Sequence, residues 1–162
     1  MQLLMIGRAL VLLFVANGVP VALNSILGRD FSRSIDGGHR FFDGRPLLGT
    51  SKTLRGLLAS LVATAICAPF LGISWITGAL FALLAMAGDL FSSFLKRRLG
   101  LAPSSKAIGL DQIPESVVPL IVFDAQLGLS MLDIVVCVVA FVALELSFSP
   151  IFYWLGLKNR PY

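Results

Sequence analysis

Long apolar runs and short, basic polar segments alternate along the chain. Most of the apolar runs are close to the roughly 20 residues that an α-helix needs to cross the hydrocarbon core of a membrane. The pattern predicts five membrane-spanning helices, at about residues 3–27, 54–71, 73–95, 114–127 and 130–155. The fourth is short, and Pro114 and Pro119 predict that it is tilted, broken or partly re-entrant.

The polar segments predict how the spans are oriented. Two loops, at about residues 28–53 and 96–113, hold most of the Lys and Arg residues, and such an excess marks the cytoplasmic side. With five spans, these loops and the C-terminal tail fall on one side, so the N-terminus is predicted outside and the C-terminus inside. Of the basic residues only Arg8 lies outside this scheme. The others are Arg29, Arg33, Arg40, Arg45, Lys52, Arg55, Lys96, Arg97, Arg98, Lys106, Lys158 and Arg160.

Composition narrows the class of protein. Of 162 residues, 57% are hydrophobic and 14% are charged, whereas soluble domains carry about a quarter charged residues. We therefore predict an all-α membrane protein, with one membrane-embedded domain over residues 1–162. The net charge of +4 points to lipid headgroups or an anionic substrate rather than nucleic acid, because most aromatic residues lie within apolar runs. Cys67 and Cys137 also lie there and are interpreted as buried small hydrophobes.

The third predicted span carries a polar stripe. Its members stand at i, i+3, i+4 and i+7, on one face of a helix, and are Asp89, Ser92, Ser93 and Lys96. A carboxylate inside a span is costly unless it is paired, hydrated or bound to a cation. An internal ion pair between Asp89 and Lys96 is one interpretation, although it leaves the two serines unexplained.

Asp111 offers a second carboxylate at the end of the second loop. Alone it is also typical of a helix start, together with Pro114 and Glu115. Combined with Asp89 at the same depth, it predicts a pair of hard oxygen ligands. Such a pair suits Mg²⁺ that is bound together with substrate phosphates.

The end of the first loop predicts an anion site. Thr50 or Ser51 can cap the second span, and the free backbone N–H groups at that helix start attract anions. The side chains beside them are Lys52, Thr53 and Arg55. Alternatively, these cations bind anionic lipid at the membrane surface. His39 is the only histidine, so neither a histidine triad nor a histidine metal site is predicted.

Three motifs resemble those of the CDP-archaeol synthases in order and spacing. The first comprises Phe41-Phe42-Asp43-Gly44-Arg45, Leu48-Gly49, Lys52-Thr53 and Arg55-Gly56. The second comprises Gly88-Asp89-Leu90, Ser93-Phe94 and Lys96-Arg97-Arg98-Leu99-Gly100, and the third is Asp111-Gln112. Five spans are also that family's pattern. The chain lacks the His-Gly-Gly segment of the related phosphatidate cytidylyltransferases and is much shorter, which favours the archaeol-type branch.

The resemblance implies an enzyme of phospholipid synthesis, a nucleotidyltransferase that transfers CMP from CTP to an archaeol-type lipid phosphate and releases pyrophosphate. It implies Mg²⁺ as cofactor, and a multi-pass location in the cell membrane with the active site facing the cytoplasm. We assign catalytic roles to Lys52, Asp89, Lys96 and Asp111, with Asp89 and Asp111 as the metal ligands. Substrate binding is assigned to Arg40, Asp43, Thr53, Arg55, Ser93 and Arg97.

Two alternatives stay open. The same chemistry could act on phosphatidate or another lipid phosphate. A small ion or solute transporter could instead use acids spread through the membrane, namely Asp89, Asp124, Asp133 and Glu145, but this leaves the clustered loop cations unexplained. The sequence does not assign a role to Glu145 or determine the oligomeric state, so a homodimer also stays open.

Overall fold

Helices make up the regular structure of the chain. The computed structural model describes residues 2–28, 32–102, 105 and 107–154, with side chains described as far as residue 148. Its helices are α1 (Leu3–Leu27), α2 (Leu54–Cys67), α3 (Trp75–Arg98), α4 (Gln112–Val122), α5 (Asp124–Leu127) and α6 (Met131–Trp154). These ranges contain no strand, only isolated bridges that join Ser34 to Thr53 and Arg40 to Pro46. The predictions above that concern Arg29, Lys106, residue 155, Lys158 and Arg160 fall outside the described residues.

Four segments in the described ranges are long and apolar enough to cross a membrane. They are Leu3–Leu27, Leu54–Leu71, Trp75–Arg98 and Met131–Phe148. The first two coincide with the first two predicted spans. The second changes from α-helix to a 3-10 turn at Ala68–Leu71, where Pro69 removes a backbone donor and Gly72, at φ 72°, ends the segment.

Thr53 begins α2. Its hydroxyl accepts a hydrogen bond from the Gly56 backbone N–H at 3.1 Å, and its own backbone is extended, as is usual for a helix cap. The prediction that Thr50 or Ser51 caps this helix is therefore wrong, because both lie before the residue that reaches the free N–H groups.

Helix α3 continues past the predicted end of its span. Lys96, Arg97 and Arg98 form its last turn instead of opening the second loop, which is therefore shorter than predicted. Cations are favourable at this position because the helix dipole leaves partial negative charge at the C-terminus. At the other end Ser74, whose hydroxyl accepts from the Thr77 N–H at 3.0 Å, begins the helix.

The fourth predicted span is a broken helix, as its prolines predict. Helix α4 has 11 residues and α5 has 4, and Phe123 separates them. Pro119 lies inside α4 and cannot donate to the preceding turn, which weakens the helix just before it ends. At about 1.5 Å per residue, α4 alone is too short to cross the hydrocarbon core.

Together α4 and α5 follow nearly the whole length of α3 in the opposite direction. At one end, Asp111 just before α4 contacts Lys96 in the last turn of α3. At the other end, Gln126 of α5 accepts a hydrogen bond from Thr77 in the first turn of α3, at 3.4 Å. The segment from Asp111 to Leu127 thus passes from one end of the helix bundle to the other.

The core lies where α1, α3, α4 and α6 meet. Its large buried side chains are Leu12, Leu13, Phe81, Leu120 and Phe141. Helix α2 packs on α1 and α3, and α6 packs on α1 and α4. Both cysteines are free thiols; Cys137 is buried and Cys67 is half-buried, in keeping with their interpretation as small hydrophobes.

Candidate active site

Two ion pairs join different elements at the end of the bundle where α3 finishes. Lys52, just before α2, lies with its Nζ 2.5 Å from Oδ2 of Asp89 in α3. Lys96, also in α3, lies with its Nζ 2.5 Å from Oδ1 of Asp111 before α4. The alternative of an internal pair between Asp89 and Lys96 is therefore wrong, because each finds a partner on another element. The predicted catalytic residues form two pairs in one region.

Glu115 brings a third carboxylate to this region. It lies in the first turn of α4, its side chain is 7% exposed, and it interacts electrostatically with Asp89, Lys52 and Asp111. Its position just after Pro114 is typical of a helix start, so no role is assigned to it from the sequence. Glu145 of α6 also faces Glu115 closely enough to repel it.

Gly88 allows α3 and α4 to touch at the level of these acids. A Cβ at this position would overlap the carbonyl group of Pro114 and lie 2.7 Å from Cα of Glu115. Real Cβ atoms essentially never approach other atoms so closely, so only glycine fits without movement of the backbone. The close approach sets Asp89, the next residue in α3, beside Glu115.

Arg97 contributes unused hydrogen-bond donors. Its side chain is 3% exposed, and one Nη donates to the carbonyl of Ala102 at 2.9 Å. Its Nε and other Nη have no hydrogen-bond partner within the described part of the chain. A buried guanidinium rarely leaves donors unpaired, so a phosphate oxygen would complete its hydrogen bonds. Ser93, on the same stretch of α3, is also buried.

The first loop holds Lys52 in position through Asp36. The carboxylate of Asp36 accepts hydrogen bonds from the N–H groups of Gly38 at 3.0 Å and of Leu48 and Gly49 at 2.9 Å. Burial raises the pKa of Asp36, but these donors together outweigh it and keep the pKa below its usual value. The carboxylate therefore stays charged and joins the two sides of the loop, and the neighbouring Ile35 N–H donates to the Lys52 carbonyl at 2.8 Å.

The pairing also keeps Lys52 charged. Burial by itself lowers the pKa of the Lys52 ammonium, but the charge and hydrogen bond of Asp89, followed by Glu115 and Asp111, raise it above its usual value. Lys52 and Asp89 remain 22% and 20% exposed. A fixed, charged ammonium that solvent still reaches is suited to meet an anionic substrate.

A hairpin in the first loop, residues 40–46, rests on the end of α3. Arg98 fastens it there, with its Nη1 2.8 Å from Oδ1 of Asp43 and its Nη2 donating to the Pro46 carbonyl at 2.5 Å. The same guanidinium lies 4.7 Å from the ring centre of Phe41 and 5.0 Å from that of Phe94. The sequence presented Arg98 only as a basic motif residue, because its partners lie more than 50 residues away.

We expect Arg98→Ala to loosen this hairpin. Charge-assisted hydrogen bonds contribute about 1.5–3 kcal/mol, so amide exchange over residues 40–46 should accelerate by about tenfold or more. Hydrogen exchange followed by mass spectrometry measures this directly. Arg33→Ala, which removes an exposed cation from the same loop, is the matched control. Equal exchange in the wild type and the Arg98 variant would contradict the fastening role.

The acidic group of the site consists of Asp89, Asp111 and Glu115. Four of the predicted substrate-binding residues make structural contacts elsewhere instead of lying in this group. Arg40 donates to the Gly44 carbonyl at 3.1 Å within the hairpin, and Asp43 pairs with Arg98. Thr53 caps α2, and Arg55 donates to Asn24 and to the Gly28 carbonyl at the end of α1, both at 2.8 Å. The residues that the structure does bring together are Lys52, Asp89, Lys96, Arg97 and Asp111.

One buried and two half-buried acids, paired lysines and a guanidinium with donors unpartnered among the described residues form an arrangement able to hold phosphates together with cations. Comparison with known proteins agrees with this chemistry. A family profile described as CarS-like, CDP-archaeol synthase, matches residues 69–162. A CDP-archaeol synthase from Sulfolobus acidocaldarius is 37% identical, with 98% of this chain and 100% of the relative covered. The chain belongs to the CDP-archaeol synthase family.

Other relatives support the same family assignment. The CDP-archaeol synthase of Sulfurisphaera tokodaii is 36% identical over 92% of this chain and 85% of its own length. A solved structure described as an intramembrane enzyme for archaeal membrane lipids biosynthesis matches with a TM-score of 0.70 and 30% identity, covering 85% of this chain and 90% of that one. The family resemblance inferred from the three motifs is therefore confirmed. This chain is an enzyme and a multi-pass membrane protein.

Proposed function

We propose that this chain transfers CMP from CTP to the phosphate of an archaeol-type lipid, giving a CDP-lipid and pyrophosphate. The observation that carries the proposal is the pair of ion pairs, Lys52 with Asp89 and Lys96 with Asp111, near Arg97 donors that have no partner in the described part of the chain. Acids and cations alternate here at the end of the bundle, where a polar nucleotide and a membrane-embedded lipid can meet.

The chemistry requires charge neutralisation more than proton transfer. A phosphate monoester with a second pKa of about 6 is largely ionised at neutral pH and needs no general base. One of its oxygens forms a bond to the α-phosphorus of CTP, while the bond from that phosphorus to the bridging oxygen breaks. Pyrophosphate leaves with that oxygen and its electron pair. Lys52, Lys96 and Arg97 would offset the negative charge on both reactants and on the leaving group.

Magnesium is the cofactor that fits the acids of the site. The described residues hold no group of three His, Cys, Asp or Glu side chains at metal-ligand spacing, so no all-protein metal cage is formed there. Mg²⁺ usually takes only one or two carboxylates, and substrate phosphates and water complete its shell. Asp89 and Asp111 would hold it, and Glu115 adds negative charge nearby. The ion would supply further neutralisation of the triphosphate.

We also propose five passes through the membrane with the active site facing the cytoplasm. Four segments of the described ranges are long enough to span, and the broken α4–α5 segment runs from Lys96 to Thr77 along α3. Because α2 and α3 both cross, Lys52 before α2 and Arg98 at the end of α3 lie on one side, which the excess of Lys and Arg identifies as cytoplasmic; a fifth pass brings the C-terminal tail to the same side. CTP is available on that side.

Pyrophosphate release by the purified protein in detergent tests the proposal. The reaction would contain CTP, Mg²⁺ and either digeranylgeranylglyceryl phosphate or a phosphatidate with matched detergent. We expect release that requires lipid, stops when the metal is chelated, and is faster with the isoprenoid ether lipid, with the CDP-lipid identified by mass spectrometry. Faster turnover of phosphatidate would change the lipid assignment. No release with either lipid from folded protein would contradict the proposed reaction.

A further inference from the structure

A cavity of about 220 Å³ lies at the end of the bundle opposite the acidic group. Its lining includes Arg8 and Met5 of α1, Gly72 after the 3-10 turn, and Gln126 and Gly128 around the end of α5. Two observations place it at that end. Gln126 contacts the first turn of α3, and Arg8 lies in the second turn of α1, whereas Lys52 adjoins the last turn of α3.

The guanidinium of Arg8 has no anionic partner in the described ranges. Among the described residues, the guanidinium makes one hydrogen-bond contact, from Nη1 to the sulfur of Met5 at 3.7 Å. Arg8 is half-buried in the second turn of α1, and a charged side chain near the end of an apolar helix is favourable where water or an anion meets it. Arg8 is also the basic residue that the orientation of the loops leaves unexplained.

The acids at the same end accept hydrogen bonds from groups other than Arg8. Asp133 accepts from the Gln2 N–H at 3.1 Å and from the Ser130 hydroxyl at 2.7 Å. Asp124 accepts from the Ala125 N–H at 2.5 Å. Neither forms an ion pair with Arg8, although both lie near the start of α1 or the adjoining α5. The positive charge that faces the cavity is therefore available to a ligand.

The cavity walls leave space around this charge. Gly72 and Gly128 adopt positive φ angles of 72° and 65°, and the Cβ that Gly72 lacks would stand 3.8 Å from an Arg8 nitrogen. The cavity is several times larger than a single bridging water needs. The amide of Gln126 adds a polar group to the wall.

We propose that this cavity binds a phosphate group, held by Arg8. A planar guanidinium offers paired N–H donors that match two phosphate oxygens. The phosphate could belong to the headgroup of a membrane lipid, whose phosphates lie at the depth where a helix enters the bilayer, or to free phosphate. The site is separate from the proposed transfer reaction, which uses residues at the other end of the bundle.

Native mass spectrometry of the full chain released from detergent tests the site. The probes are phosphatidylglycerol, diacylglycerol as the matched lipid without phosphate, and inorganic phosphate. We expect wild-type protein to retain one phosphatidylglycerol that Arg8→Gln retains about tenfold less, the loss typical of a charge-assisted hydrogen bond. Arg8→Lys should retain an intermediate amount, and Arg33→Gln, which removes a cation from the first loop, should match wild type.

The possible results either overturn the proposal or identify the source of the phosphate. Equal retention by wild type and Arg8→Gln, or equal loss in Arg33→Gln, would show that Arg8 holds no specific ligand. Equal retention of diacylglycerol would show an apolar lipid site without phosphate recognition. Retention of inorganic phosphate that depends on Arg8 and displaces the lipid would support the phosphate site and identify its source as free phosphate. Unchanged thermal unfolding without lipid would show that Arg8→Gln is folded, and Arg8→Lys supplies the test if it is not.

Discussion

Asp89→Asn is expected to lower kcat/KM for pyrophosphate release by about 10³-fold, near the upper end of what one charge-stabilising group contributes. The amide has the shape of the carboxylate but not its charge. It can no longer pair with the Lys52 ammonium, which lies 2.5 Å away, and it is a poor ligand for Mg²⁺. Steady-state rates with CTP and lipid at saturating Mg²⁺ measure the loss.

Asp133→Asn is the matched control, because Asp133 is another acid in a long helix, 1% exposed, but lies at the other end of the bundle. It should lower the temperature of unfolding and leave turnover per folded molecule unchanged. A second comparison separates the two roles of Asp89. If it binds metal, the Asp89 variant should require more Mg²⁺ than Lys52→Gln does. An Asp89→Asn enzyme within tenfold of wild type would exclude both roles.

The spans were predictable because their signal is local. Apolar runs of adequate length mark membrane helices, and the bounds of α1 and of α2 with its 3-10 turn coincide with the predicted ones. The end of α3 was not predictable in this way. Hydropathy changes where the chain leaves the apolar layer, whereas the helix continues through Lys96 to Arg98, where its dipole favours cations.

The motifs also name Lys52, Asp89, Lys96 and Asp111, four residues that the fold brings to one region. Their partners were not predictable. A helical stripe places Asp89 and Lys96 on one face and favours a pair between them, but it contains no information about loops that are distant in sequence. In the fold, Lys52 forms an ion pair with Asp89, and Asp111 forms an ion pair with Lys96.

The contacts of three further residues near the site could be identified only from the tertiary structure. In the sequence, Arg98 resembles an ordinary membrane-surface cation. In the structure it pairs with Asp43 and lies over the ring of Phe41 in the hairpin. Glu115 resembles a helix-start acid until α4 lies against α3. Gly88 carries no side chain, and its importance appears only when the backbone of Pro114 occupies the space that a Cβ would need.

Gly88→Ala is expected to reduce kcat/KM by about 100-fold, the scale of loss that follows a displacement of about 1 Å in a catalytic site. The added methyl would overlap the Pro114 carbonyl, and since backbone cannot rotate away as a side chain does, α4 must move. That movement separates Asp111 and Glu115 from Asp89. Overpacking of this kind also costs about 1–3 kcal/mol of stability, so the unfolding temperature should fall as well.

Gly78→Ala is the control variant, because it creates a similarly close contact in another part of α3. Gly78 is in the same helix, and a Cβ there would lie 2.5 Å from Cβ of Ala68 and 2.8 Å from the Thr64 carbonyl oxygen, at the contact of α3 with α2. We expect a similar fall in unfolding temperature but less than about threefold loss of turnover, because its clash lies in a contact remote from the acids. Equal losses in both variants, measured per folded molecule, would show that stability alone explains the effect. A loss confined to Gly88→Ala would establish that the α3–α4 contact positions the carboxylates for the reaction.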